Sequence, residues 1–439
     1  MNRRQFLLST GAAALPAAAS RPNIVVILAD DLGIGDLSSY GAPDIRTPHI
    51  DSIGERGVRF TQAYANAPEC TPTRTALMTG RYQQRVGGLE CAIGVGEVGR
   101  YDEAEWLAKR GELGLPTSER SLPRIFKDAG YDTACIGKWH LGYREKFSAN
   151  AHGFDEYFGI LGGNANYFTH VEEGGARVLS HNGKPVERKG YLTDLFGEAA
   201  VNWLRQRKTR PLLLYLAFNA PHTPIQAPDD PAIRQGHRPT FARMVERMDY
   251  QVGAVLAQLK AMGAGRDTIV VFASDNGGDN NGRNHPYRGR KGTLWEGGIR
   301  APLLVQWTAA IKDGRTVEQP AMTMDLLPTL MAAADVRAPG LKLDGIDLMP
   351  HIRGERRPAE RTMFWRYKRL QNRRKAVRRG NLKWVLDNGQ EELHDLAKDP
   401  LEETNLLPTA DGRAAPLRKL MDSWEREVAA PRLRDFTNV

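Results

Sequence analysis

Four short apolar runs, each ending abruptly in polar residues, set the strongest limit on how this chain can fold. Residues 24–29 (IVVILA) run into Asp30 and Asp31, and residues 133–137 (TACIG) into Lys138, Trp139 and His140. Residues 212–217 (LLLYLA) lead to Asn219, Ala220, Pro221 and His222, and residues 268–273 (TIVVFA) to Asp275 and Asn276. Unbroken apolar character is what a strand covered on both faces needs, whereas a half-exposed strand alternates. The runs predict a large, mostly parallel sheet sandwiched by helices, an α/β fold. Helices are expected at 121–129, opening on Ser121 and closing at Gly130, and at 241–262, which is amphipathic. In an open sheet of this kind the ligand site lies off the carboxyl ends of the strands, so the four polar endings should meet there.

Composition narrows the chemistry. At 439 residues and 41% hydrophobic the chain can bury a large core, which excludes disorder and rod-like folds. Cys70, Cys91 and Cys135 are too few for a disulfide framework or a cysteine-type zinc site, although one bridge, for instance between Cys70 and Cys91, stays open. A net charge of +9 favours an anionic partner. At the N-terminus, Arg3 and Arg4 precede an apolar stretch and the small residues Ala17, Ala18 and Ala19, the pattern of a twin-arginine export signal over residues 1–20. The apolar stretch is shorter than the roughly 20 residues that span a bilayer. The expectation is export by the Tat machinery to the periplasm or beyond, without stable membrane insertion.

The converging endings carry hard oxygen ligands, Asp30, Asp31, Asp275 and Asn276, the preference of calcium or magnesium rather than zinc or copper. Lys138, His140 and His222 beside such a cation supply positive charge and proton transfer, suited to an anionic ester whose leaving oxygen must be protonated.

The segment from Pro68 to Arg81, PECTPTRTALMTGR, then singles out one family. Its cysteine, any residue, proline, any residue, arginine pattern, filled by Cys70, Pro72 and Arg74 and followed by Thr79-Gly80, resembles the signature of the type I sulfatases. The resemblance continues through Gly137-Lys138-Trp139-His140-Leu141-Gly142, Ala220-Pro221-His222, Ser274-Asp275-Asn276-Gly277, Arg288-Gly289-Arg290-Lys291-Gly292, Trp295-Glu296-Gly297-Gly298 and Glu392-Leu393-His394-Asp395-Leu396. It implies an alkaline-phosphatase-like architecture, arylsulfatase- or N-acetylgalactosamine-6-sulfatase-like, and a sulfuric ester hydrolase.

By that resemblance Cys70 is the precursor of a formylglycine made by a maturation enzyme. The aldehyde hydrates to a geminal diol, whose second hydroxyl allows sulfate to be expelled after transfer. The same resemblance implies metal ligation by Asp30, Asp31, Asp275, Asn276 and the modified Cys70, with calcium preferred over magnesium. Arg74 is expected near the diol, Lys138 and Lys291 on sulfate oxygens, His140 as the base at the diol, and His222 as the acid at the leaving oxygen. A helix starting just after Cys70, with Pro72 in its first turn, would turn its N-terminus toward the same anion. His285 is placed near the pocket only by the family's loop position. Asp36, His49, His152 and His170 read as surface or structural residues.

The chain divides into the leader 1–20, a catalytic α/β domain 21–345 and a C-terminal subdomain 346–439. In the last, Arg361 to Lys383 holds ten basic residues and no acidic one. Alternation around 376–386 reads as a hairpin of a small antiparallel sheet, and residues 415–428 as a helix packing it against the main body. The basic face either lines the substrate cleft, favouring a polyanionic glycan, or forms a solvated edge; nucleic acid is set aside. Two alternatives to a sulfatase stay open, a phosphodiester or phosphonate monoester hydrolase of the same superfamily and a non-catalytic glycan-binding homologue. Substrate choice is assigned to the loops 90–115 and 164–189.

Overall fold

A computed structural model describes residues 21–206 and 209–436. The expected leader, residues 1–20, lies outside the described residues. The four apolar runs form the strands Asn23–Ala29, Asp132–Lys138, Leu212–Ala217 and Thr268–Ser274. They are neighbours at the centre of a ten-stranded sheet, in the order Thr268–Ser274, Asn23–Ala29, Leu212–Ala217, Asp132–Lys138. All pair in parallel, and Glu156–Ile160 extends the parallel block. The flanks add antiparallel pairings, including Leu303–Gln306 beside Thr268–Ser274 and Leu179–His181 beside Glu156–Ile160, and one further parallel pair, Arg315–Val317 with Val58–Phe60.

Two apolar layers sandwich the sheet, because successive side chains of a strand point to opposite faces. Ile24, Val26 and Leu28 face one layer, Val25 and Ile27 the other, all fully buried. The expected long helix is Arg238–Ala261, which packs with Leu192–Gln206 on the second layer. The expected short one is Leu122–Asp128. No helix among the described residues is long and apolar enough to cross a membrane.

The C-terminal strands Thr362–Arg369, Asn372–Arg379, Leu382–Asp387 and Gln390–Asp395 form an antiparallel sheet in chain order. Trp365 and Tyr367 point inward from its first strand, and the Trp365 indole donates to the Ala65 carbonyl at 2.9 Å. The final helix spans Leu407–Glu427, beginning earlier than the sequence suggested, with a non-helical break at Ala410. Its Trp424 stacks on Phe364 (centroids 5.2 Å apart) and meets Tyr82 of the main body edge-on at 5.1 Å.

The basic run is not a solvated edge. Arg361 pairs with Asp325, Arg366 with Glu90 and Glu425, Lys368 with Glu103, Arg369 with Glu69, and Lys375 with Glu425. Lys383 is fully buried between Glu296 (2.9 Å) and Glu402 (2.8 Å). Acidic partners scattered far along the chain neutralise the run, so it fastens the small sheet to the main body. Its Arg369 also lines the site cavity, and Arg369 and Arg374 line a hollow beside it, so part of the basic face does border the cleft.

His152 belongs to the core. It is 2% exposed, packs on Trp139, and its Nε2 bonds the Leu115 carbonyl at 2.9 Å. Burial lowers its pKa from 6.5 to about 4, against the Leu115 bond. Between those two values the unfolded chain takes up a proton that the native state refuses, so stability falls on acidification. A loss of roughly 3 kcal/mol from this group is expected between pH 7 and pH 4. Urea unfolding across that range should show it, and His152→Gln, which cannot take the proton, should flatten that part of the profile.

Candidate active site

The strand ends meet as parallel pairing requires. Asp275 N–H donates to the Ala29 carbonyl (3.2 Å) and Asp30 N–H to the Ala220 carbonyl (3.1 Å), so three polar endings are tied by their backbones. Lys138 is the last residue of its strand, and its Nζ lies 2.6 Å from Asp30 Oδ2 with both side chains fully buried. Asp31 and His140 both hold left-handed backbone conformations, φ 63° and 56°, which non-glycine residues adopt only where the surroundings enforce them.

Cys70 opens the helix Cys70–Thr79, every residue of which is buried. The sequence placed the start just after Cys70; the helix includes it because Glu69 is extended (φ −151°, ψ 162°). Pro72 sits in the first turn, where a missing N–H costs nothing. Gly80, at φ 64°, ends the helix with its N–H on the Ala76 carbonyl (2.8 Å). Cys70 Sγ lies 3.2 Å from Asp30 Oδ1. The three cysteines are all unbridged, which closes the Cys70–Cys91 alternative.

Arg74 sits one turn along, fully buried, with its donors committed. Its Nε and Nη2 bond Asp275 Oδ2 at 3.0 and 2.8 Å, and its Nη1 bonds the Lys138 carbonyl at 2.9 Å. Lys291 Nζ reaches Asp31 Oδ2 at 2.7 Å and His222 Nε2 at 3.2 Å. Asp36 stitches the loop below this cluster, accepting from Gly33 N–H and Arg283 N–H and pairing with Arg238.

Asp30, Asp31, Cys70 and His222 offer ligand atoms that all lie within 4.8 Å of one another. Asp275 is not part of that gathering, its Oδ2 being held by Arg74. The Asn276 amide donates to Asp31 Oδ1 at 2.8 Å, leaving its own Oδ1 buried with no partner. An orphaned oxygen beside clustered carboxylates fits an oxygen-preferring dication, because burying such an acceptor unpaired is costly.

Charge follows from these contacts. Burial would raise the Asp31 carboxyl, but Lys291, with His222 and Lys138, outweighs it and holds the group well below the usual range. Burial, aided by Asp30 and opposed by Arg74, raises Asp275 to about 6. Burial would lower Lys291, but Asp31, with Asp30 and Glu69 among the other negative neighbours, outweighs it and holds the group well above its ordinary value. Burial and Lys291 lower His222 to about 4, and burial and Lys138 hold His140 well below its usual value, so both rings are neutral at pH 7. Burial, then Asp275 and Asp30, push the Cys70 thiol far up, so an unmodified Cys70 is a neutral thiol and a poor nucleophile.

Cys70, His140, His222, Lys291 and Asp31 line one cavity of about 220 Å³. The loops expected to choose substrate reach it through Ile93, Val95 and Arg100 and through Asn164 and Glu173. His285 does not line it and is exposed, contrary to its expected placement. A roomier hollow of about 770 Å³ opens at the amino ends of the strands, around Asn23 and Leu212, away from these groups. Sequence reasoning missed Glu69, which also lines the site cavity, and reached Arg369 only as one member of the basic run offered as a cleft lining. No local signal marks their pairing, which spans 300 positions.

The chain matches the family model described as Sulfatase over residues 22–336, and the model described as N-sulphoglucosamine sulphohydrolase, C-terminal, over residues 287–426. It is 31% identical to the steryl-sulfatase of Mus musculus, covering 98% of this chain and 85% of that protein. It is 31% identical to the N-acetylgalactosamine-6-sulfatase of Canis lupus familiaris, covering 88% and 77%. Among solved structures, Ps i-CgsB in complex with k-i-k-neocarrahexaose superposes with a TM-score of 0.83 at 32% identity, over 92% of this chain and 93% of that one. With a family match running from the first strand past the last of the four polar endings, this chain belongs to the sulfatase family and hydrolyses sulfate esters.

Proposed function

We propose that the enzyme cleaves sulfate monoesters of carbohydrates, with Cys70 oxidised to formylglycine by a maturation enzyme and one divalent cation in the site. The observation that carries this reading is the buried contact of Cys70 with Asp30 inside a cluster of two lysines, two histidines and an orphaned amide oxygen. The carbohydrate assignment rests on the N-acetylgalactosamine-6-sulfatases and on the neocarrahexaose complex among the relatives. Asp30, Asp31, Asp275, Asn276 and residue 70 would hold the cation, calcium in preference to magnesium. When bound, the cation supplies Lewis-acid stabilisation of charge, and the hydrated aldehyde supplies the nucleophilic oxygen.

The chain's own residues do the rest. Lys138 and Lys291 present point charges to the sulfate oxygens. Arg74 fixes Asp275 and adds positive charge beneath residue 70. The His222 Nδ1–H donates to the Thr223 carbonyl (2.8 Å), so Nε2 faces Lys291. That pair delivers the proton to the leaving oxygen. His140 accepts the proton whose loss frees the sulfate. The leader 1–20 directs the folded enzyme through the Tat machinery to the periplasm.

The test is the enzyme produced together with a formylglycine-generating enzyme, assayed on nitrophenyl sulfate, phenyl phosphonate and defined sulfated saccharides. An aldehyde at position 70 by peptide mass spectrometry and dominant sulfate turnover are expected; a dominant phosphonate rate overturns the reading. Chelation of divalent ions is expected to lower turnover on the order of 10²-fold or more, with recovery on adding calcium. Full activity in chelator would remove the cation from the proposal.

A further inference from the structure

Glu69 occupies the N-cap position of the helix that carries Cys70, yet its side chain makes no capping bond. It is 1% exposed and is surrounded by donors from two remote parts of the chain. Oε2 accepts the Ala92 N–H at 2.7 Å. Oε1 accepts the Tyr367 hydroxyl at 3.0 Å and pairs with Arg369, both from the small C-terminal sheet.

The segment that Glu69 holds through Ala92 is the one that orients His140. The next residue, Ile93, gives its N–H to Thr71 Oγ1 (3.2 Å), and Thr71 donates to the His140 carbonyl (3.0 Å). The Ile93 carbonyl bonds His140 Nε2 at 2.9 Å, while His140 Nδ1 is buried without a partner. A carbonyl only accepts, so Nε2 carries the hydrogen and Nδ1 keeps the lone pair. Behind the ring, a Cβ on Gly163 would come within 2.9 Å of His140 Cε1, so the ring is confined from that side as well. Two short links thus run from Glu69 and Thr71, the residues flanking Cys70, to the atom that decides which nitrogen of His140 is basic.

We infer that Glu69 is a positioning residue: through Ala92 and Ile93 it holds His140 in the Nε2–H tautomer that leaves Nδ1 free to accept a proton. The inference rests on the proposed role of His140 as base. Only a carboxylate satisfies the three donors. The amide of Glu69→Gln has one accepting oxygen, which the charged Arg369 claims, and it turns its NH₂ toward the Ala92 N–H. The link to Ala92 is then lost without a change of shape. Arg369→Gln cuts the opposite side of Glu69 and leaves the Ala92 bond in place.

The experiment is two-bond ¹H–¹⁵N correlation of histidine-labelled, cation-loaded, matured enzyme, with His140 assigned by the signal missing in His140→Gln, together with kcat and KM on nitrophenyl sulfate. Glu69→Gln is expected to mix the His140 tautomers and lower kcat about tenfold with a smaller change in KM. Thr71→Val, which cuts the parallel link at constant shape, should move the same signal. Arg369→Gln should keep the Nε2–H signature. A pure Nε2–H signature in both Glu69→Gln and Thr71→Val overturns the inference, as does an equal shift in Arg369→Gln. If the tautomer responds as expected but native enzyme turns over no sulfate ester, the positioning stands and the proposed chemistry falls.

Discussion

Cys70→Ala is expected to lower sulfate ester turnover by on the order of 10⁴-fold or more, because it removes the side chain proposed to make the attack. The rest of the site stays in place. The Cys70 sulfur makes one polar contact, 3.2 Å from Asp30, while Arg74, Lys138 and Lys291 are each held by carboxylates rather than by Cys70. Stability should change by only about 1 kcal/mol, the scale of a small cavity. Steady-state assays beside urea unfolding separate the two effects. Turnover near the native rate in the alanine variant would remove position 70 from the reaction, whatever its modification.

Lys383→Met is expected to cost about 3–5 kcal/mol, the penalty for leaving buried carboxylates without their counter-charge. Lys383, Glu296 and Glu402 are all fully buried, and Lys383 is the one cation paired with Glu402 among the described residues. Glu296 keeps Arg300 at 3.1 Å and the Tyr64 hydroxyl at 2.6 Å, so Glu402 suffers most. Adding Glu402→Gln to Lys383→Met should therefore recover part of the loss, which unfolding by urea would read directly. A loss of under about 1 kcal/mol, the level of a surface pair, would contradict the buried network. Activity should fall with stability, because the same small sheet supplies Tyr367 and Arg369 to Glu69 beside Cys70.

Much of the site was legible before folding because its residues stand at the ends of apolar runs. Asp30, Lys138 and Asp275 end or follow strands that are parallel neighbours, and a parallel sheet brings the carboxyl ends of its strands to one edge. Asn276 and His222 arrive by the same rule, a residue or a few further on. Lys291 has no strand behind it; only the family resemblance pointed to it. The basic run 361–383 was left between a cleft lining and a solvated edge for a related reason: its acidic partners, among them Glu69, Glu90 and Glu296, lie far away in sequence.

The amino-acid sequence by itself determined the buried parallel sheet and the convergence of its polar endings, which follow from local patterns of a few residues, and its signature around Cys70 marked that position by resemblance. Tertiary structure alone decided which cations neutralise which carboxylates, which nitrogen of His140 carries its hydrogen, and that Glu69 bridges two remote segments. Those outcomes depend on through-space contacts between residues hundreds of positions apart, and electrostatics and hydrogen bonding act on distance in space, which a linear pattern does not encode.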